Sequence, residues 1–440
     1  MTAPDAVVGD RLVDRWTRRE ALYTLLFLAV LSAAVIGSYI PDQQPLSPFD
    51  EWVYLDSVDK ATDFQLSQQG ELIGEEALEV SSCRGVFVWG PTGSPCGGPY
   101  VSTDYPLGGV TSADIHPPTY FALTATVAAA IRTVGLSDDL LTSARMVGAL
   151  WLLLGLLALV VLARELGAPL LSGLGAAAVA AALPITRYNN SYITPDALNI
   201  AVGAVTLLAA VRFAKNVWPW WTLVVAGALA GSIKTQNGLA IGVALIFLLA
   251  NAVVARRPGN FVFRRHALGA VGMLAGYFAT QVGWLVLRSI RSLGDAPGHD
   301  SGGGDLTRGL ITRETTAFIL RLGLGATEDG LAVPTYAYYL TALLIAGFVG
   351  AVLYRPVRSA YWQIGTATTA VAFIGSPILL IAQQVAIAEV IPSPARYGSS
   401  LIAAACVVTA GSFGTRRRSV AFFSASTLVA ASVVFTNLTN

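Results

Sequence analysis

Apolar runs of about 20 residues recur along nearly the whole of this 440-residue chain. That pattern constrains the fold more than any motif does, because a run of that length is what a helix needs to cross a bilayer. Composition agrees. Hydrophobic residues make up 54% and charged residues 12%, and the mean hydropathy is +0.61. A soluble domain carries about 25% charged residues. A soluble enzyme, a disordered protein and a nucleic-acid binder are therefore excluded. The expected class is all-α, a polytopic transmembrane helix bundle.

The segment Met1 to Glu20 holds Arg11, Arg15, Arg18 and Arg19, and an apolar run from Ala21 to Ile40 follows. This run is long, and Ile40-Pro41-Asp42 lacks a small-residue cleavage site, so it reads as a retained first span rather than a signal peptide. Its arginines place the N-terminus in the cytoplasm. Residues 1–20 then form a cytoplasmic segment and 21–440 a single transmembrane domain. Later candidate spans are 117–135, 143–163, 168–186, 196–214, 218–233, 237–254, 266–289, 334–354, 361–388, 398–414 and 419–437. Basic hinges at Arg256, Arg257, Arg264 and Arg265, at Arg355 and Arg358, and at Arg416 to Arg418 read as cytoplasmic, with Arg164 and Lys215 on the same side. The turns near 187–195, 234–236, 290–333 and 389–397, and Asn440, then fall outside. Twelve full crossings would return the C-terminus to the N-terminal side. Of the 11–12 spans, eleven are expected to cross fully, and one segment between Pro117 and Ala163 to insert only in part.

Residues 41–116 form a large first extracytoplasmic loop with twelve acidic residues against Lys60 and Arg84, a net charge near −10 in a chain whose total is +1. Loops this long are uncommon unless they carry function. Apolar residues at Val53, Leu55, Val58, Ala61, Phe64 and Leu66 have the spacing of a surface helix over Glu51–Gln69. Cys83 and Cys96, thirteen apart between glycines and prolines, are expected to form a disulfide on an oxidising face. A second loop, 291–333, starts with a glycine-rich stretch around Gly294, Pro297, Gly298 and Gly302 to Gly304, and continues into a helix over Thr307–Gly323. It reads equally as a lid or as a plain connector.

Four polar positions lie at the outer membrane edge. Asp50-Glu51 follows the first span beside Trp52 and Tyr54. Partial burial there would raise a carboxylate's pKa or make it a metal ligand, whereas Asp50 could equally cap the surface helix. His116 precedes Pro117-Pro118 at the start of the next span. Asp196 follows Thr194-Pro195 at the start of another, where an acid suits the helix dipole but is costly near lipid. Lys234 and Arg396-Tyr397 put positive charge on the side where it is disfavoured. An anionic head group is a natural partner for them, as are the acidic loop and phospholipid phosphates.

Phe49-Asp50-Glu51, His116-Pro117-Pro118-Thr119-Tyr120, Thr194-Pro195-Asp196-Ala197-Leu198, Ile233-Lys234 and Arg396-Tyr397 together resemble the GT-C superfamily of polytopic glycosyltransferases. They resemble in particular its bacterial members with an Asp-Glu pair after the first helix. The resemblance covers about residues 20–400. It implies a GT-C bundle in the cell membrane whose active site faces outward. Such an enzyme moves a sugar from a polyprenyl-phosphate donor to a glycan, lipid or protein acceptor of the cell envelope. It further implies Asp50 as the catalytic residue, acting as base or helping to hold a metal, Glu51 and Asp196 as its partners, His116 as a positioning group, and Lys234 and Arg396, with Tyr397, as donor-binding residues. A divalent cation (Mg, Mn or Ca) is left open, with Asp50 and Asp196 as its ligands. Where many such enzymes carry a histidine shortly after the Asp-Glu pair, this chain has Trp52, Tyr54 and Asp56. The alternatives are a transporter or flippase of lipid-linked sugars, which calls for half-repeats and midplane charges, and a non-catalytic scaffold displaying the acidic loop.

Overall fold

The structure, a computed structural model, describes residues 16–40, 45–48, 50–254, 261–295, 305–324, 333–387, 390 and 395–439. Sixteen α-helices and several short 3-10 turns make up the described residues, which contain isolated β-bridges but no strand. In chain order the helices are α1 (Arg18–Gly37), α2 (Glu51–Thr62), α3 (Glu75–Cys83), α4 (Thr119–Thr133), α5 (Leu140–Glu165), α6 (Leu170–Ala182), α7 (Pro184–Ser191) and α8 (Asn199–Ala214). There follow α9 (Trp221–Ile233), α10 (Gly238–Val254), α11 (Phe261–Ile290), α12 (Arg308–Leu320), α13 (Thr335–Tyr354), α14 (Ala360–Ile387), α15 (Ile402–Gly411) and α16 (Arg416–Thr439).

Each of the twelve apolar stretches in the sequence is helical. Among the described residues eight are long and apolar enough to cross a membrane, or nine if the bent pair α6 and α7 is one span. The shorter ones differ from the sequence expectation for physical reasons. All ten residues of α15 are buried, so this helix is solvated by protein and has no bilayer thickness to match. Pro184 bends α6 from α7 by 68°, since a proline removes a backbone donor and clashes with the preceding turn. With 15 residues, α4 is about 22 Å long at 1.5 Å per residue, short of the bilayer core. It falls in the interval where the charge pattern places a partial crossing.

The two ends of the bundle differ chemically. At one end Glu165 is buried and paired with Arg212 (3.0 Å) and Lys215 (3.1 Å), Arg164 stacks over Trp16, and Arg355 donates to the Gly411 carbonyl. Arg11, Arg15, Arg256 and Arg257 lie outside the described residues. The 45–116 loop covers the other end. There the end of α16 meets the end of α1, with Asn437 bonded to Arg187 (3.0 Å) and Ser38 (3.3 Å). The first and last helices thus run so that their outer termini sit at opposite ends. Asn440 lies outside the described residues.

Within the loop, α2 is shorter than the sequence expectation, ending at Thr62. Its neighbour α3 leads into a disulfide between Cys83 and Cys96. Both loop cations are used: Lys60 pairs with Asp56 (2.8 Å) and Glu71 (3.2 Å), and Arg84 reaches Asp139 (2.8 Å). In the second loop Thr307 caps α12, accepting a hydrogen bond from the Leu310 amide. Its glycines from Gly298 to Gly304 lie outside the described residues. Close backbone contacts bring the site's segments together. A Cβ at Gly203 of α8 would collide with the Ser400 carbonyl, and one at Gly148 of α5 with that of Asn190. Small residues allow such approach between membrane helices.

Candidate active site

A chain of alternating charges lies beneath the loop. Asp50 Oδ2 accepts from Arg396 Nη2 at 2.9 Å, Arg396 Nε lies 3.8 Å from Asp196 Oδ2, and Asp196 Oδ2 accepts from Lys234 Nζ at 2.8 Å. These four residues come from the loop after α1, the 3-10 turns before α15, the turn before α8 and the turn between α9 and α10. Tyr397 closes the group, its ring 5.1 Å from Lys234 Nζ and 5.9 Å from Arg396 Cζ. Burial opposes the charge of Arg396, but Asp50 together with Tyr54, Tyr397 and Asp196 outweighs it and pushes the guanidinium's pKa well above its usual range.

Exposure separates the two carboxylates. The Asp196 side chain is fully enclosed, whereas that of Asp50 is 43% exposed. Asp196 is held by Asn199 (2.8 Å) and Thr194 (3.2 Å), and Asn199 also reaches Ser399, whose hydroxyl donates to the Arg396 carbonyl. This links the turn carrying Asp196 to the turn carrying Arg396. Asp50 stands at the N-terminus of α2 with a left-handed backbone (φ 48°), yet its side chain caps nothing. The capping alternative therefore does not account for it. Its backbone carbonyl accepts from the Tyr54 amide. Phe49, its neighbour in the motif, lies outside the described residues, as do Pro392 to Pro394.

Glu51 is placed otherwise than the resemblance implied. It is buried, and both oxygens are engaged. Arg145 donates through Nε (2.8 Å) and Nη2 (2.7 Å), and the amides of Ser47 (2.7 Å) and Ile193 (2.9 Å) donate as well. With each oxygen already accepting two hydrogen bonds, Glu51 is a clamp that joins the loop, α5 and the segment before Asp196. The sequence reading missed Arg145, which also donates to the Pro45 carbonyl and packs over Tyr192. Its signal was available as a charged residue inside an apolar span.

His116 lies beside this group without joining the ion chain. Its Nε2 is 3.1 Å from the Tyr54 hydroxyl. Burial, reinforced by Lys234, holds the imidazole well below its usual pKa, so it is neutral. Burial and then Asp50 push the Tyr54 phenol well upward, so it keeps its proton. A metal between Asp50 and Asp196 fits poorly here, because Arg396 already bridges them. No group of three or more His, Cys, Asp or Glu residues that could hold a metal occurs among the described residues.

What the chain shares with proteins of known structure is its fold. In sequence, no family model and no curated protein matches the chain. Among solved structures the chain is similar to ArnT from Cupriavidus metallidurans bound to undecaprenyl phosphate. The TM-score is 0.53 and the identity 16%, over 94% of this chain and 64% of that one. The chain thus spans less than two thirds of that protein's length. It also matches arabinofuranosyltransferase AftD from Mycobacteria, with TM-score 0.49 and 14% identity over 97% of this chain and 27% of that one.

Proposed function

We propose that the chain is a membrane glycosyltransferase that moves a sugar from a polyprenyl-phosphate donor to a hydroxyl of a cell-envelope acceptor at the outer face. The observation that carries this reading is the Asp50–Arg396–Asp196–Lys234 chain, with one reachable carboxylate and two buried cations. The likeness to a structure holding undecaprenyl phosphate supports the donor class, and the basic hinges at the other end support the orientation.

In this reading Lys234 and Arg396 receive the donor phosphate, and Asp196 holds both cations in place. A phosphate bound to Arg396 competes with Asp50 for the guanidinium. Donor binding therefore frees Asp50 at the moment a base is needed. Asp50 takes the proton of the acceptor hydroxyl, whose oxygen bonds to the anomeric carbon. The bond from that carbon to the phosphate oxygen breaks, and polyprenyl phosphate leaves as an anion neutralised by the two cations. Glu51 is saturated and Asp196 enclosed, so a second carboxylate nucleophile is lacking and a single displacement with inversion follows. Charge neutralisation comes from Lys234 and Arg396 rather than from a divalent cation on Asp50 and Asp196.

The test uses protein in nanodiscs with a panel of undecaprenyl-phosphate-linked sugars and an envelope extract as acceptor. Asp50→Asn should abolish transfer while binding of undecaprenyl phosphate persists, and Lys234→Ala should lose that binding. Normal transfer by a stably produced Asp50→Asn protein sinks the reading. It would favour the flippase or scaffold alternative.

A further inference from the structure

The turn that carries Lys234 is gripped by a helix that contributes nothing to the ion chain. Lys234 leaves helical geometry, with an extended backbone (φ −160°, ψ 142°), between the end of α9 and the start of α10. Had the helix continued, the Thr235 amide would donate to the Gly231 carbonyl. That bond is lost at the break, and a break in a membrane helix is tolerated where neighbouring groups supply the missing partners. Here α11 supplies them. Gln281 donates through Nε2 to the Gly231 carbonyl, and its Oε1 accepts from the Thr235 hydroxyl at 2.7 Å. The Tyr277 hydroxyl donates to the Thr235 carbonyl. One buried amide thus bridges residues 231 and 235, which lie on either side of Lys234. The approach is close: a Cβ at Gly231 would lie 2.6 Å from the Tyr277 carbonyl, and one at Gly276 would lie 2.1 Å from that of Val224.

This face of α11 continues along the helix. Tyr277, Gln281, Trp284 and Arg288 are spaced four, three and four apart, which puts them on one stripe. Trp284 Nε1 donates to the Asp114 carbonyl at 3.1 Å, and Arg288 Nε donates to Asp114 Oδ2 at 2.5 Å. Asp114 stands two residues before His116. A single helix therefore holds the Lys234 turn through Gln281 and, about 10 Å further along its axis at Arg288, the turn that leads into His116. A lysine has a flexible four-carbon stem, so where its backbone is anchored decides what its ammonium can reach. Lys234 is buried with Nζ 2.8 Å from Asp196 Oδ2, and the anchor is supplied by α11.

We infer that Gln281 and Tyr277 are positioning residues for recognition of the donor phosphate: by holding residues 231 and 235 they fix the point from which Lys234 Nζ meets that phosphate. The inference rests on the glycosyltransferase reading. It adds that α11, through one polar stripe, sets the spacing between the phosphate-binding lysine and the His116 turn.

The full chain in nanodiscs is titrated with undecaprenyl phosphate and with undecaprenol, which has the same chain and no phosphate. The readout is the ratio of the two affinities, because damage to packing alone lowers the folded fraction or weakens both ligands alike. Wild type should prefer the phosphate. Gln281→Leu keeps the bulk of the side chain and removes both polar ends. Its ratio should fall about tenfold, within the roughly hundredfold that a displacement of about 1 Å can cost. Thr235 is exposed, so Thr235→Val leaves the fold intact, and its ratio should fall about threefold on loss of one neutral hydrogen bond. Gln363→Leu is the control. It breaks a bond of 3.2 Å to Asn251 in the last turn of α10, and its ratio should stay at the wild-type value. An unchanged ratio in both Gln281→Leu and Thr235→Val overturns the inference, as does an equal fall in Gln363→Leu. A wild-type protein without preference for the phosphate sinks the donor assignment instead. A preference lost in Lys234→Ala and kept in Gln281→Leu and Thr235→Val sinks the positioning role alone.

Discussion

Asp50 and Glu51 are adjacent acids with opposite duties, and substituting each by its amide separates them. The Glu51 and Arg145 side chains are 0% and 2% exposed. Removing one partner of a buried ion pair costs about 3–5 kcal/mol, because the other charge stays buried. In Glu51→Gln the new amide must point an N–H at the guanidinium or at the Ser47 and Ile193 amides, which are donors already. Each main-chain donor left unmet adds about 1–3 kcal/mol, so the expected loss lies at the upper end, about 4–5 kcal/mol. Asp50→Asn removes a 43% exposed partner of Arg396 and should cost about 1 kcal/mol or less. Thermal unfolding and limited proteolysis in nanodiscs would measure both. Glu51→Gln should unfold early, with residual transfer in proportion to its folded fraction, while Asp50→Asn should fold normally and transfer nothing. In a double-mutant cycle, Glu51→Leu with Arg145→Met should be less harmful than the sum of the single changes, because no lone buried charge remains. A Glu51→Gln protein within about 0.5 kcal/mol of wild type would refute the clamp.

His116 should make stability depend on pH. Its folded pKa lies well below the usual 6.5, so as pH falls through that value the unfolded chain gains a proton that the folded chain refuses. Stability is full above about pH 6.5 and declines below it, with a slope of at most about 1.4 kcal/mol per unit. His116→Asn should flatten the decline between pH 7 and 5, and parallel melting curves would contradict this. Gly203→Ala should push the Ser400 carbonyl, and with it Arg396, away from α8. A stability loss of about 1–3 kcal/mol with weaker undecaprenyl-phosphate binding is expected, and unaltered binding would count against the packing argument. Chelation by EDTA should leave transfer at the wild-type rate. A loss reversed by Mg or Mn would restore the metal alternative.

The bundle was legible because lipid solvation writes itself as long apolar runs, and all twelve runs are helical. What was hidden is which helices face protein instead of lipid. Ile402–Gly411 and its neighbours read like any span, yet enclosure on all sides frees α15 from the bilayer's length requirement. For the site, charge scarcity singled out Asp50, Asp196, Lys234 and Arg396, and the structure brings them together. Glu51 could not be sorted from Asp50 by sequence, because its role depends on Arg145, 94 residues away. Asp114 appeared only as the start of the His116 motif. Its partner Arg288 lies 174 residues on, and helix periodicity carries no information at that range.

The link between Asp50 and Arg396 spans 346 residues of chain. At a synthesis rate of about 5–20 residues per second, roughly 20–70 s pass between the appearance of the two. Throughout that interval Asp50 and the first loop exist without the cation that bridges to Asp196, and no phosphate site is complete. On the glycosyltransferase reading proposed above, a truncated or half-inserted chain is thus inert. The ion chain comes into being only when nearly all of the bundle is in place, so on that reading assembly itself acts as the safeguard against premature reaction with lipid-linked sugars.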